Sequence, residues 1–212
     1  ALIQLFPPGE EGGSGLADVL TGAVNPSGRL PVTLPRSVGQ LPIYHGYRAG
    51  GGPVMFFGDY VDSPATPLFA FGHGLSYTSF GYEELVVRGL STSAPIEVAL
   101  TVRNTGARAG DEVVQLYARD DVASVARPDR LLVGFARVSL EPGQACRVTF
   151  GVHPSRLAFY DPRMRFVTEP GVFTFSVGAS SADIRAEGAV ELAGETAHYR
   201  QREIVATSVR VE

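Results

Sequence analysis

There is no lysine among the 212 residues of this chain, so its 18 basic side chains are all arginines, and 22 acidic residues leave a formal net charge of −4. No basic stripe offers itself to a nucleic-acid backbone. The absent lysine also excludes a P-loop, and Asp18 stands where the dinucleotide fingerprint needs its last glycine, so the glycine-rich run 12–15 is not a nucleotide site. A single cysteine, Cys146, rules out an internal disulfide and a cysteine-built zinc centre, and leaves the compartment open. Tryptophan is missing altogether, and with it the usual platform for stacking on a sugar. No apolar run approaches the roughly 20 residues of a membrane span.

What is present is turn chemistry: 25 glycines and 15 prolines beside 44% hydrophobic residues, the texture of a turn-rich β protein. Residues 1–6 form an apolar run broken only by Gln4 and stopped by Pro7-Pro8-Gly9, the pattern of a strand covered on both faces. Beyond it, Leu16, Val19 and Leu20 fall on one helical face and Gly22 supplies a stop. One strand and one helix cannot make a sheet. The rest of that sheet is expected before Ala1, and the chain reads as a C-terminal fragment.

Residues 36–80 read as a connector of little regular structure, interrupted by Pro42 and by Gly50-Gly51-Gly52-Pro53. Its aromatic residues, Phe56, Phe57, Tyr60, Phe69 and Phe71 among them, argue that it is packed on something. From about residue 83 the period is two. Alternation over 96–102, 146–152 and 173–177, with further segments at 85–90, 113–119, 131–140 and 184–192, predicts seven short strands. Asn104-Thr105-Gly106, Pro142-Gly143, Pro170-Gly171 and Ser180-Ser181 separate them. The expected fold is mainly β: an antiparallel sandwich over 81–193, preceded by a strand-helix piece over 1–35 and the connector. A tail over 194–212 adds an edge strand or frays.

Candidate chemistry is sparse. Gly12-Gly13-Ser14-Gly15-Leu16 only approximates a nucleophile elbow, because Leu16 replaces the last glycine, and Ser14 reads as helix-entrance flexibility and a cap. Glu10 and Glu11 are neighbours on one loop, whereas glycoside hydrolysis needs two carboxylates facing each other across roughly 5 to 9.5 Å, so they read as partners of a helix N-terminus. His45, His73, His153 and His198 lack metal-ligand spacing. Cys146 falls on the apolar face of a strand, as a small buried hydrophobe. One cluster suits a sugar: Tyr44, His45, Tyr47 and Arg48 bring aromatic faces and planar donors together in a glycine-bounded loop.

Taken in order, several segments carry a resemblance: Pro8-Gly9-Glu10-Glu11-Gly12-Gly13, then Asn25-Pro26-Ser27-Gly28-Arg29-Leu30-Pro31, then Gly39-Gln40-Leu41-Pro42, then Phe69-Ala70-Phe71-Gly72-His73-Gly74-Leu75-Ser76-Tyr77. Gly134-Phe135, Leu140-Glu141-Pro142-Gly143 and Glu169-Pro170-Gly171 complete the series. The chain resembles the C-terminal portion of glycoside hydrolase family 3 enzymes, the β-glucosidases and β-xylosidases, including their fibronectin type III-like domain. The resemblance implies a parent with a barrel and an α/β sandwich domain upstream as partners. It also implies a retaining mechanism on β-glycosides without a cofactor, and catalytic carboxylates that map onto no residue here. Neither a nucleic-acid nor a membrane partner is expected, and a homodimer is allowed. The competing reading is a free-standing carbohydrate-binding or adhesion module, which the missing tryptophan disfavours.

Overall fold

The computed structural model describes residues 2–48 and 62–212. Helix α1 spans Gly12–Thr21 and ends where Gly22 turns left-handed at φ 76°, the cap that only a residue without Cβ adopts cheaply. Glu11 occupies the N-cap position without a side-chain hydrogen bond. Ser14 lies inside the helix and is not its cap, because the helix already begins at Gly12. Residues 2–6 join no sheet, and Leu2, Ile3, Leu5 and Phe6 are exposed. A strand buried on both faces needs neighbours to share its backbone bonds, and none of the described residues supplies them.

Among the described residues eleven strands follow: β1 (Phe80–Arg88), β2 (Ile96–Asn104), β3 (Gly110–Asp120), β4 (Leu131–Leu140), β5 (Ala145–Val152), β6 (Phe159–Tyr160), β7 (Phe166–Thr168), β8 (Gly171–Ser180), β9 (Asp183–Leu192), β10 (Ala197–His198) and β11 (Ser208–Val211). Two antiparallel sheets, ordered β1-β2-β5-β11 and β4-β3-β8-β9, face each other, and a small sheet β10-β7-β6 sits beside them. The seven strands expected from the period of two are all present, each within a few residues of its expected bounds. The alternation explains the core. Val98, Leu100 and Val102 of β2 and Val148 and Phe150 of β5 meet Val114 and Leu116 of β3 and Phe173, Phe175 and Val177 of β8, all essentially solvent-free. Each such side chain contributes about 1.5–3 kcal/mol by leaving water. Cys146 packs against the same core, and burial pushes its thiol pKa up.

Turn chemistry sets the corners. Pro142 and a left-handed Gly143 (φ 79°) fill the middle of the β4–β5 turn, which Gln144 closes by donating to Glu141 O, as a type II turn requires. Asn104 is fully buried at the β2–β3 corner. Its Nδ2 donates to the carbonyls of Arg108 and Leu140, while its Oδ1 accepts from Thr78 and Gly106. The tail adds an edge strand: β11 pairs antiparallel with β5, and Thr207 Oγ1 donates to Val133 O of β4, so the tail bridges the open side of the sandwich.

The end of the connector pairs with the residues just before it as a narrow antiparallel ribbon, with Leu30 N donating to His73 O, Gly72 N to Leu30 O and Leu34 N to Phe69 O. That ribbon lies on β3 and β8. Gln115, buried on the outer face of β3, donates from Nε2 to Gly72 O and Ala179 O and accepts from Tyr117 Oη, so both of its donors are used. Gly72 has to be glycine there: its φ is 80°, and a Cβ would fall 2.0 Å from Gln115 Oε1. Below it, Arg29 reaches into the end of the sandwich and places Nη2 2.9 and 3.1 Å from the two carboxylate oxygens of Glu112. Both side chains are more than nine-tenths buried. The expectation that the connector is packed holds for Phe69 and Phe71; Phe56, Phe57, Tyr60 and the 50–53 glycine run lie outside the described residues.

Candidate functional site beneath the connector

The connector brings three of the four sequence-picked residues together. Tyr44 and Tyr47 stack with ring centroids 4.3 Å apart. His45 stacks on Phe71 at 4.1 Å and meets Tyr117 of β3 edge-on at 6.0 Å. Tyr44, His45 and Tyr47 line a pocket of about 230 Å³ between connector and sandwich, together with Arg130 and Ser181. Tyr44 is half exposed at its rim. Arg48 is not in the lining; it is exposed, and its backbone forms an antiparallel bridge with Pro128 while Asp129 N donates to Tyr47 O at 2.8 Å.

The guanidinium inside the pocket is that of Arg130, which sequence reasoning missed because it sits far away in the chain, just before β4. Its Nη1 donates to the carbonyl of Ser181 at the β8–β9 turn. Burial first, and the Arg130 charge second, lower the His45 pKa, so the imidazole is neutral at neutral pH. The pocket therefore offers two stacked phenol rings, a neutral imidazole and one fixed cation. That set can stack on a ring and hydrogen-bond to hydroxyls, but among the described residues that line it no carboxylate is present to act as acid, base or nucleophile. Among the described residues no group of three His, Cys, Asp or Glu side chains is placed to hold a metal, and no helix is long and apolar enough to cross a membrane. Glu10 and Glu11 are exposed beside α1 and face nothing. His73 stacks on Phe69 at 5.2 Å, and His153 accepts from Ser155 N as a cap; neither approaches the pocket.

Two family models match in order: the glycosyl hydrolase family 3 C-terminal domain over residues 1–77 and the fibronectin type III-like domain over residues 112–181. A periplasmic β-glucosidase of Salmonella typhimurium is 36% identical over 91% of this chain, and a β-xylosidase of Formosa agariphila is 41% identical over 85%. The chain belongs to glycoside hydrolase family 3. It spans about a quarter of the length of these curated relatives, 26% and 25% respectively, and corresponds to their C-terminal part. Solved β-glucosidase structures superimpose on about nine-tenths of the chain. The β-glucosidase of Listeria innocua in complex with glucose matches with a TM-score of 0.82 at 35% identity, over 91% of this chain and 28% of that one. A β-glucosidase of Erythrobacter marinus reaches 0.82 at 44% identity, over 89% and 24%. The family 3 relatives thus include both β-glucosidases and β-xylosidases.

Proposed function

We propose that this chain serves as the C-terminal region of a retaining β-glycosidase acting on terminal β-D-glucosyl or β-D-xylosyl residues. In that role it braces the catalytic domains and supplies no catalytic carboxylate of its own. The observation that carries the bracing role is the Arg29–Glu112 pair, which ties the segment matched by the family 3 C-terminal domain to the fibronectin type III-like sandwich through two buried charges. Breaking a buried pair by removing one partner strands the other charge and costs about 3–5 kcal/mol. Within this reading, Tyr44, His45, Tyr47 and Arg48 face the mouth of an active site, of their own subunit or a second copy, and help select the group that leaves with the scissile oxygen.

The purified chain by itself should release no nitrophenol from 4-nitrophenyl β-D-glucoside or β-D-xyloside. In the whole enzyme, Glu112→Ala should lower the temperature at which activity is lost while leaving KM unchanged. Turnover by the chain alone that disappears when one of its carboxylates is replaced would overturn the placement of the catalytic groups. A Glu112→Ala enzyme as heat-resistant as the parent would overturn the bracing role.

A further inference from the structure

Arg127 lies just before the segment on which the 44–48 loop rests. Its guanidinium is held on three sides: Nη2 donates to Leu157 O at 2.9 Å, the plane lies 4.4 Å from the Phe159 ring centre, and Nε stands 3.9 Å from Asp120 Oδ2 at the end of β3. Leu157 and Phe159 are themselves buried, and the Arg127 and Asp120 side chains are 15% and 5% exposed. A flat cation stacked on a ring and bonded to a carbonyl has little freedom to swing. Immediately after it, Pro128 forms the bridge with Arg48, and Asp129 N donates to Tyr47 O. Arg130 then enters the pocket wall. The next residues along the chain from the clamp are thus the backbone template for the loop.

The charges fit the same arrangement. Arg48 approaches closely enough to repel Arg127, and Asp120 and Glu169 are the acidic groups that offset that repulsion. Asp121 adds to the negative side around Asp120.

We propose that Arg127 is a positioning residue for glycoside selection: by clamping residues 127–130 to the sandwich it fixes where Tyr44, Tyr47 and Arg48 stand. The inference rests on the reading of that loop as a substrate-facing element, and it assigns to the fibronectin type III-like domain a part in specificity exerted through backbone contacts. Arg127 itself touches no substrate.

Two readouts test it. The chain has no tryptophan, so Tyr44→Trp places a single, selectively excitable tryptophan at the pocket rim, and adding Arg127→Met should shift its emission maximum under conditions where circular dichroism reports a folded chain. In the whole enzyme, the ratio of kcat/KM for two glucosides differing only in leaving group should change about tenfold in Arg127→Met, within the roughly 10²-fold that a 1 Å misplacement costs. Arg127→Lys, which keeps the charge but not the flat fork, should fall between parent and Arg127→Met, and serves if Arg127→Met does not fold. An unchanged emission maximum overturns the proposal. So does an unchanged ratio in Arg127→Met and Arg127→Lys when Tyr44→Ala and Arg48→Ala alter it, an outcome that leaves the loop reading intact. If Tyr44→Ala and Arg48→Ala also leave the ratio unchanged, the loop does not face substrate and both readings fall.

Discussion

Asp120 is a carboxylate whose chemistry departs from what its place in the sequence suggests. Burial raises its pKa from 3.8 to about 6, with Glu169 and Asp121 pushing in the same direction and Arg127 opposing them. The folded chain therefore holds this proton more tightly than the unfolded chain does. The resulting stability is fully present below the unfolded value and is lost as pH rises through about 6. Asp120→Asn has no proton to take up in that window. The melting temperature of the parent should thus rise relative to Asp120→Asn as pH falls from 7.5 to 5, and thermal melts of both chains across that range measure the difference. A constant gap would mean that Asp120 titrates alike in the folded and unfolded chain. Nothing local in Arg119-Asp120-Asp121 announced this. Leu157 and Phe173, distant in the chain, line the same small cavity as Asp120.

At the scale of elements, β11 matters through the edge it covers. All four of its residues are exposed, so it buries little, yet it occupies the backbone edge of β5. A chain ending at Thr207 should lose only about 1–2 kcal/mol, an amount suited to a short exposed strand. It should also self-associate as concentration rises, because an open strand edge is a template for pairing. Sedimentation velocity of the shortened chain at increasing concentration checks this, and a strictly monomeric shortened chain would contradict it. The sandwich strands were legible because a core-facing period of two is written locally, as in Ile96, Val98, Leu100 and Val102. The edge strand was legible only as an alternative to fraying, since Val209 and Val211 alternate without a face to bury. The strand expected over residues 1–6 was legible as apolar sequence, but its hydrogen-bond partners are not among the described residues. The site was half legible: Tyr44, His45 and Tyr47 share a loop, whereas Arg130 and Ser181 reach the pocket only through sheet topology.

For the molecule as a whole, the connector behaves as a third layer on the sandwich. A chain beginning at Phe80 keeps both sheets, but it uncovers Gln115 and leaves Glu112 without its guanidinium. A chain beginning at Asn25 retains Arg29, the Gly72 carbonyl and the Asn25 side chain that donates to Ala109 O. The Phe80 chain should unfold at lower urea concentration, by about 3 kcal/mol or more, because a buried charge and a buried amide lose their partners. Equal midpoints for the two chains would show that the sandwich needs no cover.

Asn25 also accepts from Ser76 Oγ and Tyr77 N, while the Tyr77 hydroxyl donates to Val19 O in α1. The two ends of the connector are therefore fastened to each other and, through Arg29 and Ala109, to β3. In mechanical terms the intervening chain is out of the load path: tension between α1 and the sandwich runs across residues 19–29 and into β3, bypassing the long loop. Changes in the length of the chain between residues 30 and 75 therefore leave the distance between α1 and the sandwich as it is.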